Sequence, residues 1–600
     1  MNTRQRTACI LVIVLHATLA GCGDNTAQHK PEALKRQVES AAKKTSESAT
    51  GVEADRTDDR GDIHFVSMRD GSGITFRHTS GNSPEKAFPA ANGSGLAAFD
   101  SDMDGHIDLY FGNGTEFPIN KNRTGPFDQF YRNLGAWKFR DATQAAGFRN
   151  PDYTTGVECG DYNNDGFPDL YLTSVGKNQL YCNLGDGSFE EVSEASGTAD
   201  ASWGTSAAFL DVDQDGWLDL YVCNYGEWTY EKNRFCGDQA RGIRMFCSPT
   251  MVPSEHDVLY RSLGDGTFEN FSQTAGISLR NGRGQGVLAA DLNEDHTTDL
   301  YVSNDINPNF LFLNDGHGHF EEVGELSGAA YDHLGQAQAG MGLAIGDVDR
   351  NGCFDLFVTN YQNEHNALYE NLGNGVFLET GTTRVPEGSL PFVGWGTALE
   401  DFDLDGWLDL IVTNGHTDDN LAELGKEGVY LQPPGLWKNT AGRLKLVSRG
   451  AGSYFRGLHN GRGLVTADLD NDGDSDVVIG HQDNFPELLR NDSLESPAAR
   501  ILQIRLIDAA HSRDAIGAIV EAGGVHPPLR TAIHGGGSYA SASDKRVYIA
   551  IGGQDLTAIQ ITWPNGTQSI VADLTVGSGY AIVHSDKSDS QPRVIPVENP

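Results

Sequence analysis

One nine-residue pattern, DxDxDGxxD, recurs seven times with minor variation in this chain of 600 residues and limits its fold more than any other feature. The first copy reads "DSDMDGHID" from Asp100, and later copies begin at residues 161, 211, 291, 347, 401 and 468. The intervals run from 50 residues (161 to 211) to 80 (211 to 291). Repetition at this length indicates an architecture in which each repeat forms one unit and neighbouring units stack.

The sequence around each copy repeats as well and predicts short strands. Runs of small and apolar residues such as "GLAAF" and "TSAAFL" precede the pattern, and "DLYFGN" or "DLYVSN" follows it. Short β-rich runs separated by Asn, Asp and Gly turns are typical of four-stranded sheets. A repeat of about fifty residues matches a propeller blade better than a helical repeat. The sequence therefore predicts an all-β fold, with a seven-bladed β-propeller over residues 61–491.

The two ends of the repeat region predict closure of the ring. The segment "IHFVSMRDGSGI" from Ile63 resembles the end of a blade but precedes the first copy, whereas the last repeat stops after "ELLRND". We therefore expect the N-terminal strand to complete the last blade, which leaves no open sheet edge. The longest interval contains an insertion over residues 224–257, where Cys236 and Cys247 are predicted to form a disulfide in an oxidising compartment.

Each copy of the pattern has the composition of a calcium-binding loop. Side-chain oxygens at positions 1, 3, 5 and 9 converge, position 7 adds a backbone carbonyl, and glycine at position 6 permits a sharp bend. Oxygen ligands favour calcium over zinc or copper, and a flexible ligand number favours it over magnesium. Up to seven Ca²⁺ ions are therefore expected, with lower occupancy in the fourth loop, where His296 replaces the glycine. The alternative for any single loop is an aspartate-rich turn held by its own side chains.

The predicted metal-binding residues, including those at position 7 that offer their carbonyls, are Asp100, Asp102, Asp104, His106, Asp108, Asp161, Asn163, Asp165, Phe167, Asp169, Asp211, Asp213, Asp215, Trp217, Asp219, Asp291, Asn293, Asp295, Thr297, Asp299, Asp347, Asp349, Asn351, Cys353, Asp355, Asp401, Asp403, Asp405, Trp407, Asp409, Asp468, Asp470, Asp472, Asp474 and Asp476.

On these motifs the repeat region resembles the FG-GAP/VCBS repeat family, whose seven-bladed propellers include integrin α-subunit heads. The resemblance implies that the calcium loops lie on one face of the disc and stiffen the blades, while partners bind elsewhere. Residues 499–585 contain "AIGAIV", "GGGSYAS" and "WPNG", which resemble the ASPIC/UnbV domain of cartilage acidic protein-like bacterial proteins. Alternating apolar residues and glycine turns predict a small β-sandwich or barrel-like domain there, followed by a flexible tail over residues 586–600.

The N-terminus, "MNTRQRTACILVIVLHATLAGCGD", has two arginines before a short apolar stretch that ends in Leu-Ala-Gly-Cys. This ending resembles a bacterial lipobox, which predicts a signal peptide over residues 1–22 and lipidation of Cys22; the alternative is an ordinary cleaved secretory signal. Residues 23–60 are polar and predict a flexible tether. We expect an exported lipoprotein of the cell envelope, at the cell surface or on a periplasm-facing membrane.

Charge and motif content exclude several function classes. The chain has 83 acidic and 44 basic residues, a formal charge of -39, so nucleic acid is not an expected partner. No nucleophile elbow, P-loop or dinucleotide loop is present in the sequence. Polar candidates for catalysis exist, although each histidine is more simply a turn residue: His78, His416, His459 with Arg462, and His534. Trp203 and Trp395, in matching "WGT" phrases, either stack on sugars or belong to the core. Four further cysteines are core thiols or include one more bridge: Cys159, Cys182, Cys223 and Cys353.

The leading functional hypothesis is a lipid-anchored, calcium-stiffened binding or adhesion module for an extracellular protein or glycan. The alternatives are an extracytoplasmic enzyme that uses the propeller channel and a structural subunit of an envelope complex. Catalysis predicts polar groups with perturbed pKa values at the channel mouth. Adhesion predicts an exposed surface opposite the metal loops.

Overall fold

The computed structural model describes residues 61–125, 127–494, 501–508, 514–584 and 591–597. The predicted signal peptide, the tether and Cys22 lie outside these ranges. Among the described residues, no helix has both the length and the apolar character needed to cross a bilayer.

Seven antiparallel sheets with four blade strands each confirm the propeller prediction, and a short strand from the C-terminal region extends the fourth. The four strands of each blade follow one another in chain order, except in the seventh blade, whose last strand comes from the N-terminal side. The blades consist of β2 (Leu96–Phe99), β3 (Asp108–Phe111), β4 (Gln129–Asn133) and β5 (Phe139–Asp141); β6 (Tyr153–Gly160), β7 (Asp169–Val175), β8 (Gln179–Asn183) and β9 (Phe189–Glu191); β10 (Gly204–Leu210), β11 (Asp219–Asn224), β14 (Val258–Ser262) and β15 (Phe268–Asn270); β16 (Gly284–Ala290), β17 (Asp299–Asn304), β18 (Phe310–Asn314) and β19 (Phe320–Glu322); β20 (Leu343–Gly346), β21 (Asp355–Val358), β22 (Ala367–Asn371) and β23 (Phe377–Glu379); β24 (Gly394–Glu400), β25 (Asp409–Asn414), β26 (Gly435–Asn439) and β27 (Leu444–Leu446); and β28 (Gly461–Ala467), β29 (Asp476–His481), β30 (Glu487–Asn491) and β1 (Phe65–Ser67).

The ring closes as the sequence predicts. The first strand of each blade contacts the first strand of the next blade, and β28 of the last blade contacts β2 of the first. Strand β1 pairs with β30, with Phe65 opposite Asn491 and Ser67 opposite Leu489. The seven blades therefore leave no break between the first and the last.

The inner strands consist of small residues because seven of them converge around one axis. All seven residues of β10 (GTSAAFL) are buried. A side chain would not fit where strands approach most closely: a Cβ on Gly156 would lie 2.4 Å from the carbonyl oxygen of Thr205. The small-residue runs of the sequence thus mark the strands that line the channel.

Short helical turns and one hairpin decorate the blades. The hairpin, β12 (Cys236–Asp238) and β13 (Ile243–Met245), belongs to the insertion in the third blade, and the predicted Cys236–Cys247 disulfide is confirmed. The four-residue helices are α1 (Ser193–Ser196), α2 (Ser272–Ala275), α3 (Gly324–Ser327) and α4 (Gly381–Arg384), and 3-10 turns cover Phe88–Ala91, Tyr230–Lys232, Pro249–Met251, Ile277–Leu279, Ser448–Gly450 and Tyr454–Arg456.

The C-terminal region contains β31 (Ile501–Asp508), β32 (Ile519–Gly523), β33 (Leu529–Ala532), β34 (Gly535–Gly536), β35 (Val547–Ala550), β36 (Ala558–Thr562), β37 (Gln568–Ala572), β38 (Gly579–His584) and β39 (Arg593–Val597). All of these strands except β34 form a β-sandwich of two four-stranded sheets, ordered β35-β31-β38-β39 and β33-β32-β36-β37. The prediction of a flexible tail over residues 586–600 is wrong for residues 593–597. These residues pair with β38, because that strand otherwise presents an open edge.

The segment 535–542, which contains "GGSYAS" of the family-like phrase, leaves the sandwich and enters the propeller channel. Strand β34 pairs with β16 of the fourth blade, Ser538 bridges to Leu343 of the fifth, and Ala542 to Ala97 of the first. Val157 of the second blade donates its N–H to the carbonyl of Ala540 at 3.0 Å. This channel segment therefore takes up hydrogen bonds that the inner strands cannot give one another.

The sandwich itself rests on the face of the propeller that carries the acidic loops. Arg530 donates to the carbonyl of Gly352 in the fifth loop at 2.6 Å, and Arg350 of that loop donates to the carbonyl of Pro528 at 3.2 Å. Leu404 of the sixth loop packs against Ile501. The opposite face is therefore the one that the sandwich leaves free.

Three segments meet over the channel mouth on this free face. Lys86, from the entry to the first blade, pairs with Asp419 of the sixth blade at 2.5 Å. Phe246, next to the disulfide of the insertion, donates its N–H to Asp418 at 2.9 Å, and Lys86 lies 5.1 Å from its ring centre. A rim around the channel mouth on the free face is therefore formed by the insertion, the entry segment and the connection at 415–431.

Candidate metal centres

In each acidic loop, backbone N–H groups donate hydrogen bonds to the side chain of the first aspartate. In the sixth loop, Asp401 accepts hydrogen bonds from the backbone N–H groups of Asp405 at 3.0 Å and Gly406 at 2.7 Å. Asp405 in turn accepts from the N–H of Trp407 at 3.0 Å. The bend requires a left-handed backbone at position 6, where Gly406 has φ +92°. These bonds explain why the loop needs an oxygen-bearing side chain at its first and fifth positions.

The ninth aspartate opens the second strand of its blade and is buried there. In the sixth blade, Asp409 accepts from the N–H of Phe402 at 3.1 Å and from the N–H of Asn439 on the third strand at 2.8 Å. Equivalent aspartates in the other blades are also buried, because the strand carries them under the loop. The ninth ligand is therefore fixed by the sheet and the others by the turn.

The structure brings carboxylate oxygens together in five loops, each within 4.8 Å of one another. These groups are Asp100, Asp102 and Asp104; Asp211, Asp213 and Asp219; Asp347, Asp349 and Asp355; Asp401, Asp403 and Asp409; and Asp468, Asp470 and Asp476. The second and fourth loops carry an amide at position 3, and Asn163 and Asn293 accept the N–H of position 5 at 2.9 and 3.2 Å. The position-7 carbonyls stay a prediction.

These carboxylates are buried with too little positive charge beside them, which disfavours their ionised form. Loss of hydration raises the pKa of Asp108 to about 7 and that of Asp355 to about 8. The position-3 oxygens show the same deficit: one Oδ1 atom of each of Asp102, Asp213, Asp403 and Asp470 is buried without a hydrogen-bond partner. Hard oxygen donors that lack partners fit a divalent cation such as Ca²⁺, which would neutralise them.

The fourth loop keeps this geometry despite its histidine. His296 adopts φ +67° and donates its N–H to Asp291 at 3.1 Å, as glycine does elsewhere. The histidine therefore costs backbone strain but does not open the loop.

Sequence reasoning missed one group of buried asparagines that join neighbouring blades. Asn439 ends the third strand of the sixth blade and donates to the carbonyl of Val348, at position 2 of the preceding loop, at 2.9 Å. Matching bonds run from Asn133, Asn183, Asn314, Asn371 and Asn491 to the preceding loop. Only the third blade has serine there, Ser262. We call these six residues the latch asparagines; the asparagine that recurs at the end of the third strand, just before the turn, was their signal.

Two of the catalytic candidates, His78 and Arg462, are among the residues that line one small cavity. His78, His416 and His459 lie in separate connections, and their ring nitrogens contact Ser94, the Asp418 N–H and the Tyr454 carbonyl. Burial lowers the pKa of His78, His416 and His534 to about 4. Burial therefore favours the neutral imidazole at these three positions.

The two tryptophan candidates belong to the core, and the four cysteine candidates are reduced. Trp395 and Trp203 are 1% and 3% exposed, so neither ring face is available to a sugar. Trp395 packs instead on Tyr539 of the channel segment. The four further cysteines are free thiols.

One polar cavity of about 160 Å³ lies between blades five to seven and the sandwich. Glu400, Thr466 and Lys545 are among its lining residues. Burial raises the pKa of Glu400 to about 7, and Thr466 donates to it at 3.0 Å. The cavity is smaller than the roughly 300–1,000 Å³ typical of ligand pockets.

The fold and its loops define a class: a seven-bladed β-propeller with acidic loops on one face, followed by a β-sandwich. Sequence profiles agree in detail. The FG-GAP-like repeat profile matches residues 161–222, 297–358 and 347–412, and the ASPIC and UnbV profile matches residues 508–589. The chain therefore contains FG-GAP-like repeats and an ASPIC and UnbV domain.

Characterised relatives are distant. Cartilage acidic protein 1 of Xenopus tropicalis is 23% identical over 340 residues, which cover 55% of this chain and 49% of that protein. The Homo sapiens protein is 24% identical over 297 residues, covering 49% and 42%. The matches thus span about half the length of these relatives. Among solved structures, an N-acetylglucosamine-recognising lectin of Agrocybe aegerita is 17% identical, with 65% of this chain and 86% of that chain covered and a TM-score of 0.35.

Proposed function

We propose that this protein is an exported, lipid-anchored binding module whose acidic loops hold Ca²⁺ and whose free face binds an extracellular protein. The observation that carries the proposal is the set of converging carboxylates with unpartnered buried oxygens in repeated loops. In each loop, the side chains at positions 1, 3, 5 and 9 would hold the ion. The ion would supply the positive charge that lets these aspartates stay ionised in a buried setting.

The position of the sandwich supports partner binding on the opposite face, since the sandwich covers the middle of the loop face. Exposed apolar side chains lie in the free-face connections of the sixth and seventh blades: Leu390, Val429, Leu431, Leu458 and Phe485. Four of these five side chains are aliphatic, which favours a protein over a glycan, because sugar rings stack on exposed aromatic faces. An enzyme that used the propeller channel would need this channel for its substrate, but the channel segment occupies it.

The test compares residues 23–600 in calcium and in chelator. Calcium is expected to raise the melting temperature by many degrees, because several sites bind only the folded state, and elemental analysis should detect bound calcium. Asp213→Asn keeps the size of a side chain that has an unpartnered oxygen, and it should reduce the calcium-dependent shift while changing little in chelator.

A second arm of the same experiment screens protein and glycan arrays with and without calcium, using Val429→Glu as the surface control. Binding to a protein that Val429→Glu weakens supports the proposal. A melting temperature indifferent to calcium together with no bound ion would refute the metal assignment. Binding to glycans alone would refute the choice of a protein partner.

A further inference from the structure

The residue immediately before each latch asparagine, or before Ser262 in the third blade, faces the acidic loop of its own blade. We call it the companion position. It is basic in four blades, where Arg132, Arg261, Lys438 and Arg490 occupy it. All four of these blades have aspartate at position 3 of the loop.

The basic companions contact the loop carboxylates. Lys438 pairs with Asp403 and lies 3.5 Å from Asp405. Arg132 pairs with Asp102 and lies 3.2 Å from Asp108.

The other two basic companions act at longer range. Arg261 pairs with Glu269 at 2.6 Å and lies 3.9 Å from Asp213. Arg490 pairs with Asp492 and interacts electrostatically with Asp470 and Asp476. The position-3 aspartate is thus an ion-pair partner of the companion in three blades and interacts with it electrostatically in the seventh.

The fifth blade also has a cation near its position-3 aspartate, although its companion position is acidic. Its companion position holds Glu370, but Arg384 at the end of α4 pairs with Glu370 and also lies 3.7 Å from Asp349 at position 3. The net effect of Arg384 and Glu370 on the loop charge is zero, and this loop has Asn351 in place of a fourth aspartate.

The second and fourth blades have neither the aspartate nor the cation. Their third positions are Asn163 and Asn293, and their companion positions are Cys182 and Leu313. Asn163 donates to the sulfur of Cys182 at 3.2 Å. A neutral pair therefore occupies the place that the aspartate and its cation occupy in the blades with a basic companion.

At positions 1, 3, 5 and 9, four aspartates occur in each of the four loops that have a basic companion, and three occur in each of the second, fourth and fifth loops. The seventh loop carries one more aspartate, Asp474, at position 7. Aspartate at position 3 thus never occurs without a cation beside it.

We infer that the companion side chains are built-in counter-cations that set the calcium affinity of each loop separately. A companion stabilises the metal-free loop by offsetting carboxylate repulsion, and it weakens calcium binding because the ion must displace it from the position-3 carboxylate. This inference rests on the proposed calcium function. It assigns a role to residues outside the predicted ligand set.

The test uses the sixth blade, where Trp407 at position 7 can sensitise terbium luminescence from a Tb³⁺ ion bound in place of Ca²⁺. Luminescence of the full exported chain is titrated with and without Trp407→Phe, and the difference reports the sixth loop alone. Lys438→Met is compared with Lys438→Arg and with Lys445→Met. Lys445 is exposed and lies opposite Lys438 in the register of β26 and β27, so its loss changes the net charge equally.

Lys438→Met should bind Tb³⁺ about three- to fivefold more tightly at the sixth loop, with Ca²⁺ competing in proportion, and should melt at a lower temperature in chelator. Lys438→Arg and Lys445→Met should match the unmodified protein. Unchanged or weaker binding in Lys438→Met overturns the inference, as does an equal gain in Lys445→Met.

The converse substitution keeps the inference testable if Lys438→Met does not fold. Cys182→Lys adds a cation beside the second loop and should weaken one calcium site in a calorimetric titration; seven unaltered sites would overturn the inference. The two proposals fail differently. If the unmodified protein binds neither ion at any loop, the calcium function itself is wrong, whereas binding that is indifferent to the companions removes only the companion role.

Discussion

Asp257 shows how one buried carboxylate links the fold to pH without any metal. It is 4% exposed and accepts from the hydroxyl of Tyr221 at 2.7 Å and from the N–H of Asn224 at 2.8 Å. Burial outweighs these bonds and raises its pKa to about 7. The fourth blade performs the same task with a neutral side chain, Asn309, which accepts from the N–H of Asn304 at 2.9 Å.

Asp257→Asn is expected to flatten the pH dependence of stability. The pKa of Asp257 is near 4 in the unfolded chain and about 7 in the fold. The folded state therefore holds a proton that the unfolded state releases as pH rises from 4 to 7. Over this window the free energy of unfolding falls by up to about 1.4 kcal/mol per pH unit, and this loss persists above it.

Urea unfolding at pH 5 and pH 8 in saturating calcium measures this effect. The variant should gain stability relative to the unmodified protein at pH 8 but not at pH 5. Asp265→Asn, at an exposed turn of the same blade, is the control. Equal slopes for both variants and the unmodified protein would show that Asp257 does not titrate in this range.

Residues whose roles are local were predictable from the sequence. The acidic loops, the strand that completes the seventh blade and the Cys236–Cys247 pair follow from spacing and flanking patterns, because their contacts are set by turns and by the repeat. Roles that depend on contacts outside the repeat were not predictable. Tyr539 lies in a glycine-rich phrase that is typical of a loop, and Arg593–Val597 lies in the stretch predicted as a flexible tail. The companion cations became visible only when each third strand was placed beside its own loop.

The latch asparagines act at the scale of the blade, because each ties the third strand to the loop of the blade before it. Asn371 is 1% exposed and donates to the carbonyls of Leu292 at 2.9 Å and Phe354 at 3.1 Å. Its own oxygen accepts from the N–H of Gly373 at 2.9 Å. One side chain thus closes its own turn and fastens two blades.

Asn371→Ala should lower the free energy of unfolding by about 1–3 kcal/mol, because buried carbonyls lose their donor. The stability of Asn371→Ser should lie between that of the alanine variant and that of the unmodified protein. Ser262, at this place in the third blade, still caps its turn because it accepts from the N–H of Gly264 at 3.3 Å. Urea unfolding at fixed calcium concentration measures both. An alanine variant as stable as the unmodified protein would mean that water replaces the latch.

At the scale of the molecule, the channel segment joins the sandwich to the propeller, and we expect the two to unfold together. Its backbone pairs with inner strands of several blades, and a continuous apolar cluster runs from Phe209 and Leu218 of the propeller to Ile516 and Trp563 of the sandwich. The sandwich therefore contributes to the stability of the ring. The same arrangement leaves the free face uncovered by the sandwich.

Tyr539 is the side chain that should reveal this coupling. It is 2% exposed, its ring centre lies 4.8 Å from that of Trp395, and its hydroxyl donates to the carbonyl of Asn92 at 3.3 Å. Tyr539→Ala should destabilise the protein by about 3–5 kcal/mol through the cavity it leaves. Calorimetry should show one transition in the unmodified protein, and hydrogen exchange should rise in the variant at the N–H groups of Val157 and Leu343, which donate to the channel segment. Two separate transitions in the unmodified protein, with exchange in the inner strands unaffected by the substitution, would mean that the segment lies in the channel without supporting it.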